Sequence, residues 1–277
     1  MKYMQNLHTH TTFCDGKNTP EEIIIEAINK GFSSIGFSGH SEMYYSPEYG
    51  MTKEGTEEYK NEISSLKAKY RDKISVFCGC EYDIYSDVST EGFDYLIGAV
   101  HYLKIGDEIV GIDRSAEIIQ GVINKYFGGD GLALAKKYYE AVAEMPKYGN
   151  FDIVAHFDII TKNIEKTNLF DITSKEYKNY AFEAISALKG KIPYFEVNTG
   201  AIARGYRTTP YPFPEIIKEF KRQGFGATIS SDCHDKKHLD VYFKEAVDLL
   251  KECGYREIVV YTDDGFTGEK IWTSYRF

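Results

Sequence analysis

The sequence predicts an α/β fold, a TIM-like barrel of parallel strands wrapped in helices, on three observations. Short apolar runs alternate with amphipathic helical stretches along most of the chain, the pattern of parallel strands joined by crossover helices. The length, 277 residues, suits one large barrel better than two domains. Six of the seven histidines stand within three residues of the end of an apolar run, and a parallel barrel gathers its strand C-termini on one face, where reactive groups collect.

Strands are expected at residues 3–7, 34–38, 75–80, 95–100, 153–155, 194–197, 227–230 and 257–261. The first helix is the most clearly punctuated. Thr19 reads as N-cap, Pro20 as the first helical residue, Glu22 as the capping-box partner and Gly31 as the stop. Further helices are expected near 54–70, 115–126, 131–147, 174–188, 214–223 and 241–253. Seven or eight such units favour a closed barrel, with a doubly wound open sheet as runner-up. Residues 102–150 are too many for a barrel loop and should carry two extra helices over one mouth. No repeat, low-complexity tract or flexible linker divides the chain, so a single domain is expected over 1–277.

Hydrophobic residues make up 43% of the chain, enough for a sizeable core. Tyr occurs 23 times, a residue suited to half-buried rims where a ring packs and a hydroxyl meets water. With 33 Lys and Arg against 42 Asp and Glu, the net charge is −9. Such a surface repels nucleic-acid backbones, so no nucleic-acid partner is expected. A small phosphate ester stays compatible, because bound cations can supply local positive charge. Five cysteines, an odd number, and no apolar leader argue for a reducing, cytoplasmic setting. Cys78 and Cys80 fall inside an apolar run and read as small buried hydrophobes. No stretch approaches the length of a membrane span, and the sequence is silent on oligomeric state.

Chemistry concentrates at the strand ends. His8 and His10 are alternate residues of one strand, so both imidazoles point the same way and can hold one cation. His40, His101, His156 and His234 each close or follow a later apolar run, Glu81 closes another, and Glu196 ends a further one. Any one strand-end histidine is more often a hydrogen-bonded structural residue. Six together, with carboxylates at the remaining ends, point to a metal site. Neutral imidazole mixed with carboxylate suits Zn, Fe or Mn. The lack of a thiolate set argues against a structural zinc. His238, in a Lys-Lys-His stretch, reads as structural.

Read together, His8-Thr9-His10, Asp15-Gly16, Ser38-Gly39-His40-Ser41, Glu81, Ala99-Val100-His101, Ala155-His156, Asn198-Thr199-Gly200 and Ser231-Asp232-Cys233-His234 resemble the polymerase-and-histidinol-phosphatase (PHP) family, nearest its stand-alone histidinol-phosphatases. The resemblance runs in order from residue 8 to about 235. It implies a distorted seven-stranded (β/α) barrel, with the eighth strand candidate outside it, and two to three divalent metal ions. His8, His10, Glu81 and Asp232 would hold the first ion. Glu81 would bridge to a second, also held by His101 and His156. Asp15, His40 and His234 would hold a third; some family members have histidine where this chain has Asp15. The implied activity is hydrolysis of L-histidinol phosphate, a step of histidine biosynthesis, by metal-activated water; metal-bound water, Asp232 and His234 are all candidates for the proton donor to the leaving group, and the sequence does not choose among them.

Around the substrate, Arg204 and Arg207 follow Asn198-Thr199-Gly200, and an arginine fork suits phosphate oxygens. Arg204 is favoured; Arg114 is a further candidate. Asp113, Tyr102 and Tyr206 are candidates for an amine and an imidazole. Competing readings keep the metal phosphoesterase and change its substrate to nucleotide bisphosphates, oligonucleotides or phosphotyrosyl protein. A non-catalytic barrel is disfavoured because all nine ligand positions carry competent residues. A metal-dependent amidohydrolase is disfavoured because Glu81 occupies the place of a carboxylated lysine bridge.

Overall fold

Seven strands run parallel: β1 (Gln5–Asn6), β2 (Ser34–Phe37), β3 (Ser75–Asp83), β4 (Tyr95–Ala99), then β7 (Ile153–Val154), β8 (Tyr194–Asn198) and β9 (Gly226–Ser230), side by side in that order. The computed structural model describes residues 4–263 and 269–277. Tyr3, the first residue of the expected strand at 3–7, lies outside them. The ring closes at its C-terminal rim, where Cys233 N–H donates to the His8 carbonyl (3.1 Å) and His10 N–H donates to that of Cys233 (2.8 Å). This is the distorted (β/α)7 barrel that the family resemblance implied.

The distortion sits at the β9–β1 seam. β1 has only two residues, and side chains do part of a ladder's work. The Gln5 amide donates to the Tyr261 carbonyl (2.6 Å) and accepts from the Tyr261 N–H (2.9 Å), while Asn6 donates to the Ser231 hydroxyl (2.8 Å). Tyr261 belongs to β10 (Glu257–Asp263), the expected eighth strand. It pairs antiparallel with β11 (Lys270–Arg276) outside the barrel sheet. This hairpin stoppers the N-terminal mouth: Tyr261 joins the buried cluster of Leu7, Phe77, Tyr95, Ile97 and Ile153, its ring against those of Phe77, Tyr95 and Trp272.

Crossover helices follow from local chemistry. α1 (Pro20–Asn29) starts on the expected capping box, with Thr19 Oγ1 accepting from Glu22 N–H and Glu22 accepting from Thr19 N–H. Its Ile23, Ile24 and Ala27 are buried. α2 (Lys53–Tyr70), α5 (Lys175–Leu188), the short α6 (Gly200–Ala203), α7 (Pro214–Gln223) and α8 (Phe243–Glu252) follow. Segment 102–150 begins with an unexpected antiparallel hairpin, β5 (Tyr102–Ile105) and β6 (Glu108–Gly111), before α3 (Ala116–Phe127) and α4 (Gly131–Glu144). The start of α3 faces the C-terminal mouth, whereas α4 packs beside α5 on the outside. Among the described residues no helix is long and apolar enough to cross a membrane. Cys78 and Cys80 are buried, as expected of small hydrophobes.

One tyrosine fixes the barrel's interior. Tyr95 reaches across it to donate to the carbonyls of Leu7 (2.5 Å) and Phe37 (3.0 Å). Its ring fills the space that side chains at Gly36 and Gly79 would need; a Cβ on either would fall inside it. Gly79→Ala should therefore overpack the interior and cost about 1–3 kcal/mol. Urea denaturation should show a lower midpoint at unchanged slope; an unchanged midpoint would mean that the ring yields freely.

Candidate metal centre

Every strand of the barrel sends a titratable side chain to the closed rim. β1 runs out into His8 and His10, β2 into His40, β4 into His101, β7 into His156 and β9 into Asp232 and His234; β3 itself carries Glu81. β8 carries Glu196. All of these except His40 and His234 are buried, and those two are partly so.

Glu81 is the hub. Its Oε2 lies 3.2 Å from His8 Nε2 and 3.4 Å from His10 Nε2, and Asp232 Oδ1 completes that group at 3.7 and 3.2 Å from the same nitrogens. Its Oε1 lies 2.9 Å from His156 Nε2 and 3.3 Å from His101 Nε2, and those two nitrogens are 3.2 Å apart. One carboxylate thus faces two donor sets with different oxygens. A third set gathers on Asp15, whose Oδ2 is 3.2 Å from His234 Nε2 and 3.9 Å from His40 Nε2. The sets touch: His40 Nδ1 meets Glu81 Oε2 at 2.8 Å, and His10 Nδ1 meets Asp15 Oδ1 at 3.4 Å.

This arrangement fits metal ions better than it fits bare protein. His8 Nε2, His10 Nε2, Glu81 Oε2 and Asp15 Oδ1 are buried without a hydrogen-bond partner, a costly state unless something else satisfies them. Donors around a tetrahedral ion with bonds of about 2.0–2.2 Å stand about 3.3–3.5 Å apart, close to the separations seen. The electrostatics agree. Burial would lower the His8 pKa, yet Glu196, Glu81 and Asp232 overcome it and raise it; Glu81 and Asp83 do the same for His101. Burial would raise the pKa of Glu81 and Asp232, yet the imidazoles, and Arg204 beside Asp232, hold both well below the ordinary range. The pit is negative and draws cations.

Two buried carboxylates, Glu196 inside β8 and Asp83 at the end of β3, hold the ring. Glu196 accepts from His8 Nδ1 (2.9 Å), His156 N–H (2.8 Å), Asn198 (2.7 Å) and Ser230 (2.5 Å). With Nδ1 so engaged, His8 presents Nε2 to the centre. Asp83 accepts from Tyr45 (2.5 Å) and His101 N–H (3.0 Å) and stands 3.4 Å from His101 Nδ1. Asp83 went unmarked in the sequence, although its spacing from Glu81 matches that of His8 and His10 and puts both on one face of β3. Asp232 takes the left-handed backbone region (φ 47°), uncommon away from glycine and a frequent mark of functional turns. There its Oδ1 meets the histidines and its Oδ2 meets Arg204 (2.9 Å).

Above the centre opens a cavity of about 710 Å³. Arg204, Arg114, Asp113, Tyr102 and Tyr206 all line it, with Lys162 and Lys166, two cations that the sequence did not single out. Arg204 also donates to the Asp232 carbonyl (3.0 Å). Arg114 donates to the hydroxyls of Tyr49 (2.7 Å) and Tyr102 (3.2 Å). Arg207 does not line it. The chain after α6 turns inward, and its buried guanidinium donates to Thr161 (2.8 Å) and Thr209 (3.0 Å), lies against Phe213 and faces Asp158 at 3.7 Å. That environment makes it a packing and charge-balancing group. His238 lies in a short 3₁₀ turn away from the centre. Glu196→Gln, which removes the charge that orients His8, should weaken metal binding about 10–100-fold in a chelator competition, with unchanged far-UV circular dichroism; unchanged affinity would deny Glu196 that task.

Three comparisons bear on kinship. The PHP-domain model matches residues 6–200. A probable histidinol-phosphatase of Schizosaccharomyces pombe is 28% identical, over 89% of this chain and 86% of its own. The histidinol-phosphatase of Lactococcus lactis is 25% identical, over 95% and 94%. A crystal structure of histidinol phosphate phosphatase from Lactococcus lactis, complexed with zinc, L-histidinol and phosphate, superposes with a TM-score of 0.72 at 23% identity, covering 93% of this chain and 96% of that one. The strand-end donors, the barrel and the matched span converge: this chain belongs to the PHP family.

Proposed function

We propose that this protein is a metal-dependent phosphomonoesterase that hydrolyses L-histidinol phosphate to L-histidinol and phosphate. The observation that carries the reading is the Glu81 carboxylate shared between two donor sets at the floor of a cavity lined by Arg204, Lys162, Lys166 and Arg114. A dianionic phosphate needs positive charge on several sides, and this cavity supplies it. The similarity to histidinol-phosphatases over about nine-tenths of the chain supports the choice of ester.

His8, His10, Glu81 and Asp232 would hold one divalent ion, Glu81, His101 and His156 a second, and Asp15, His40 and His234 a third, with Zn, Fe or Mn suited to the mixed donors. Bound there, such ions neutralise the phosphoryl group and lower the pKa of a water from about 15.7 toward 7. Arg204 has two roles in this scheme. It fixes Asp232 through Oδ2, leaving Oδ1 for the donor set, and it presents its partly exposed guanidinium to the phosphoryl oxygens. Asp232 and His234 are the protonatable groups at that end. A confined cavity and a net charge of −9 suit a small ester better than an oligonucleotide.

A substrate panel tests this. Metal-loaded protein should turn over L-histidinol phosphate with a kcat/KM far above those for a nucleotide bisphosphate, a phosphotyrosyl peptide and a generic aryl phosphate; preference for another member would reassign the substrate. Arg204→Ala should lower kcat/KM for phosphate esters about 10–100-fold, the range for a lost charged hydrogen bond, largely through KM and with bound metal retained. Loss of metal along with activity would leave Arg204 only the task of holding Asp232.

A further inference from the structure

Five carboxylates line the cavity: Asp15, Glu81, Asp232, Asp113 and Glu117. The first three belong to the donor sets. Glu117 is exposed and sits in the first turn of α3. Asp113 is left, and it is placed with care. The Ile112 N–H donates to the His101 carbonyl (2.8 Å), which puts Asp113 one residue beyond a contact with the metal centre. Its partner is Lys162, whose Nζ lies 2.7 Å from Oδ1. The pair spans the cavity from the β6–α3 connection to the turn after β7. It is not needed to tie these walls together, since Asn163 already donates to the Arg114 carbonyl (2.9 Å).

Resting on the phosphatase reading above, we propose that Asp113 is the acceptor for the ammonium group of an amino-alcohol leaving group, and that Lys162 stands in for that group until substrate arrives. L-Histidinol phosphate carries its ammonium on the carbon next to the ester methylene, so a phosphoryl group at the centre leaves the ammonium in the part of the cavity just beyond it. A cation in a cavity already lined by four others needs a carboxylate to bind at all. Lys162 presents to Asp113 the same chemical group as the substrate would. Exchanging one ammonium for another keeps the number of ion pairs constant, and a partly exposed pair is weak enough to exchange. From the same position the Lys162 Nζ also lies 4.3 Å from the centre of the Tyr206 ring, a favourable contact that does not depend on Asp113.

The test compares two ester pairs that differ only in the amine: L-histidinol phosphate against 3-(imidazol-4-yl)propyl phosphate, and phosphoethanolamine against ethyl phosphate. The readout is the ratio of kcat/KM within each pair, measured on metal-loaded protein of verified metal content. Wild type should prefer the amine, and Asp113→Asn should shrink that ratio about 10–100-fold, as expected for a lost charged hydrogen bond. Lys162→Met, which removes the stand-in, should tighten inhibition by free L-histidinol about two- to fivefold. A wild-type ratio that Asp113→Asn leaves intact, or an equal fall for both members of a pair, overturns the role of Asp113. Weaker or unchanged histidinol inhibition in Lys162→Met overturns the exchange. An Asp113-dependent amine preference with poor turnover of histidinol phosphate would instead keep the amine site and remove the proposed substrate.

Discussion

A buried carboxylate with two occupied sides governs this structure. Glu81 is about 1% exposed, lies on the central part of the barrel rim and has an imidazole set against each oxygen. Neutral imidazoles alone do not balance it, because Asp232 and Asp15 add further negative charge within the same cluster. Uncompensated, such a cluster is expensive to bury. Divalent ions resolve that conflict, and their requirement explains why so many polar groups survive in the interior of an otherwise apolar barrel.

The parallel barrel is what makes this economical in sequence. Each strand delivers one or two side chains to the same rim, so ligands far apart in the chain need no long loops to meet. Rigidity comes from below and behind. Tyr95 occupies the room left by Gly36 and Gly79 and ties β1 and β2 together through their carbonyls. Glu196 braces His8 and the backbone of His156 with one carboxylate, and Asp83 does the same for His101. The cavity above is basic where a phosphate would lie, with Asp113 and the exposed Glu117 the acids outside the donor sets.

Much of this was legible in the sequence because it follows from period-two strands and their ends. His8 and His10 declare a shared face by spacing alone, and Thr19, Pro20 and Glu22 declare the start of α1. The parts that were not legible depend on the path of loops. Arg204 and Arg207 both follow Asn198-Thr199-Gly200, and although the sequence favours Arg204 it does not show that Arg207 turns inward: one reaches the cavity and the other is buried against Phe213 and Thr161. Lys162 and Lys166 follow a strand of only two residues by a turn whose direction no periodicity encodes. The β5–β6 hairpin is too short to show an alternation. Asp83 was readable by the same logic as the histidine pair, but a carboxylate two residues from a stronger candidate looks like ordinary surface polarity until its burial is seen.

The most direct measurement of the central claim is an anomalous-difference map from crystals of the metal-loaded protein. The account predicts two peaks flanking the Glu81 carboxylate, about 3.5–4 Å apart as in two-metal hydrolases, one against His8, His10 and Asp232 and the other against His101 and His156. A single ion beside Glu81, or peaks outside the three donor sets, would contradict it.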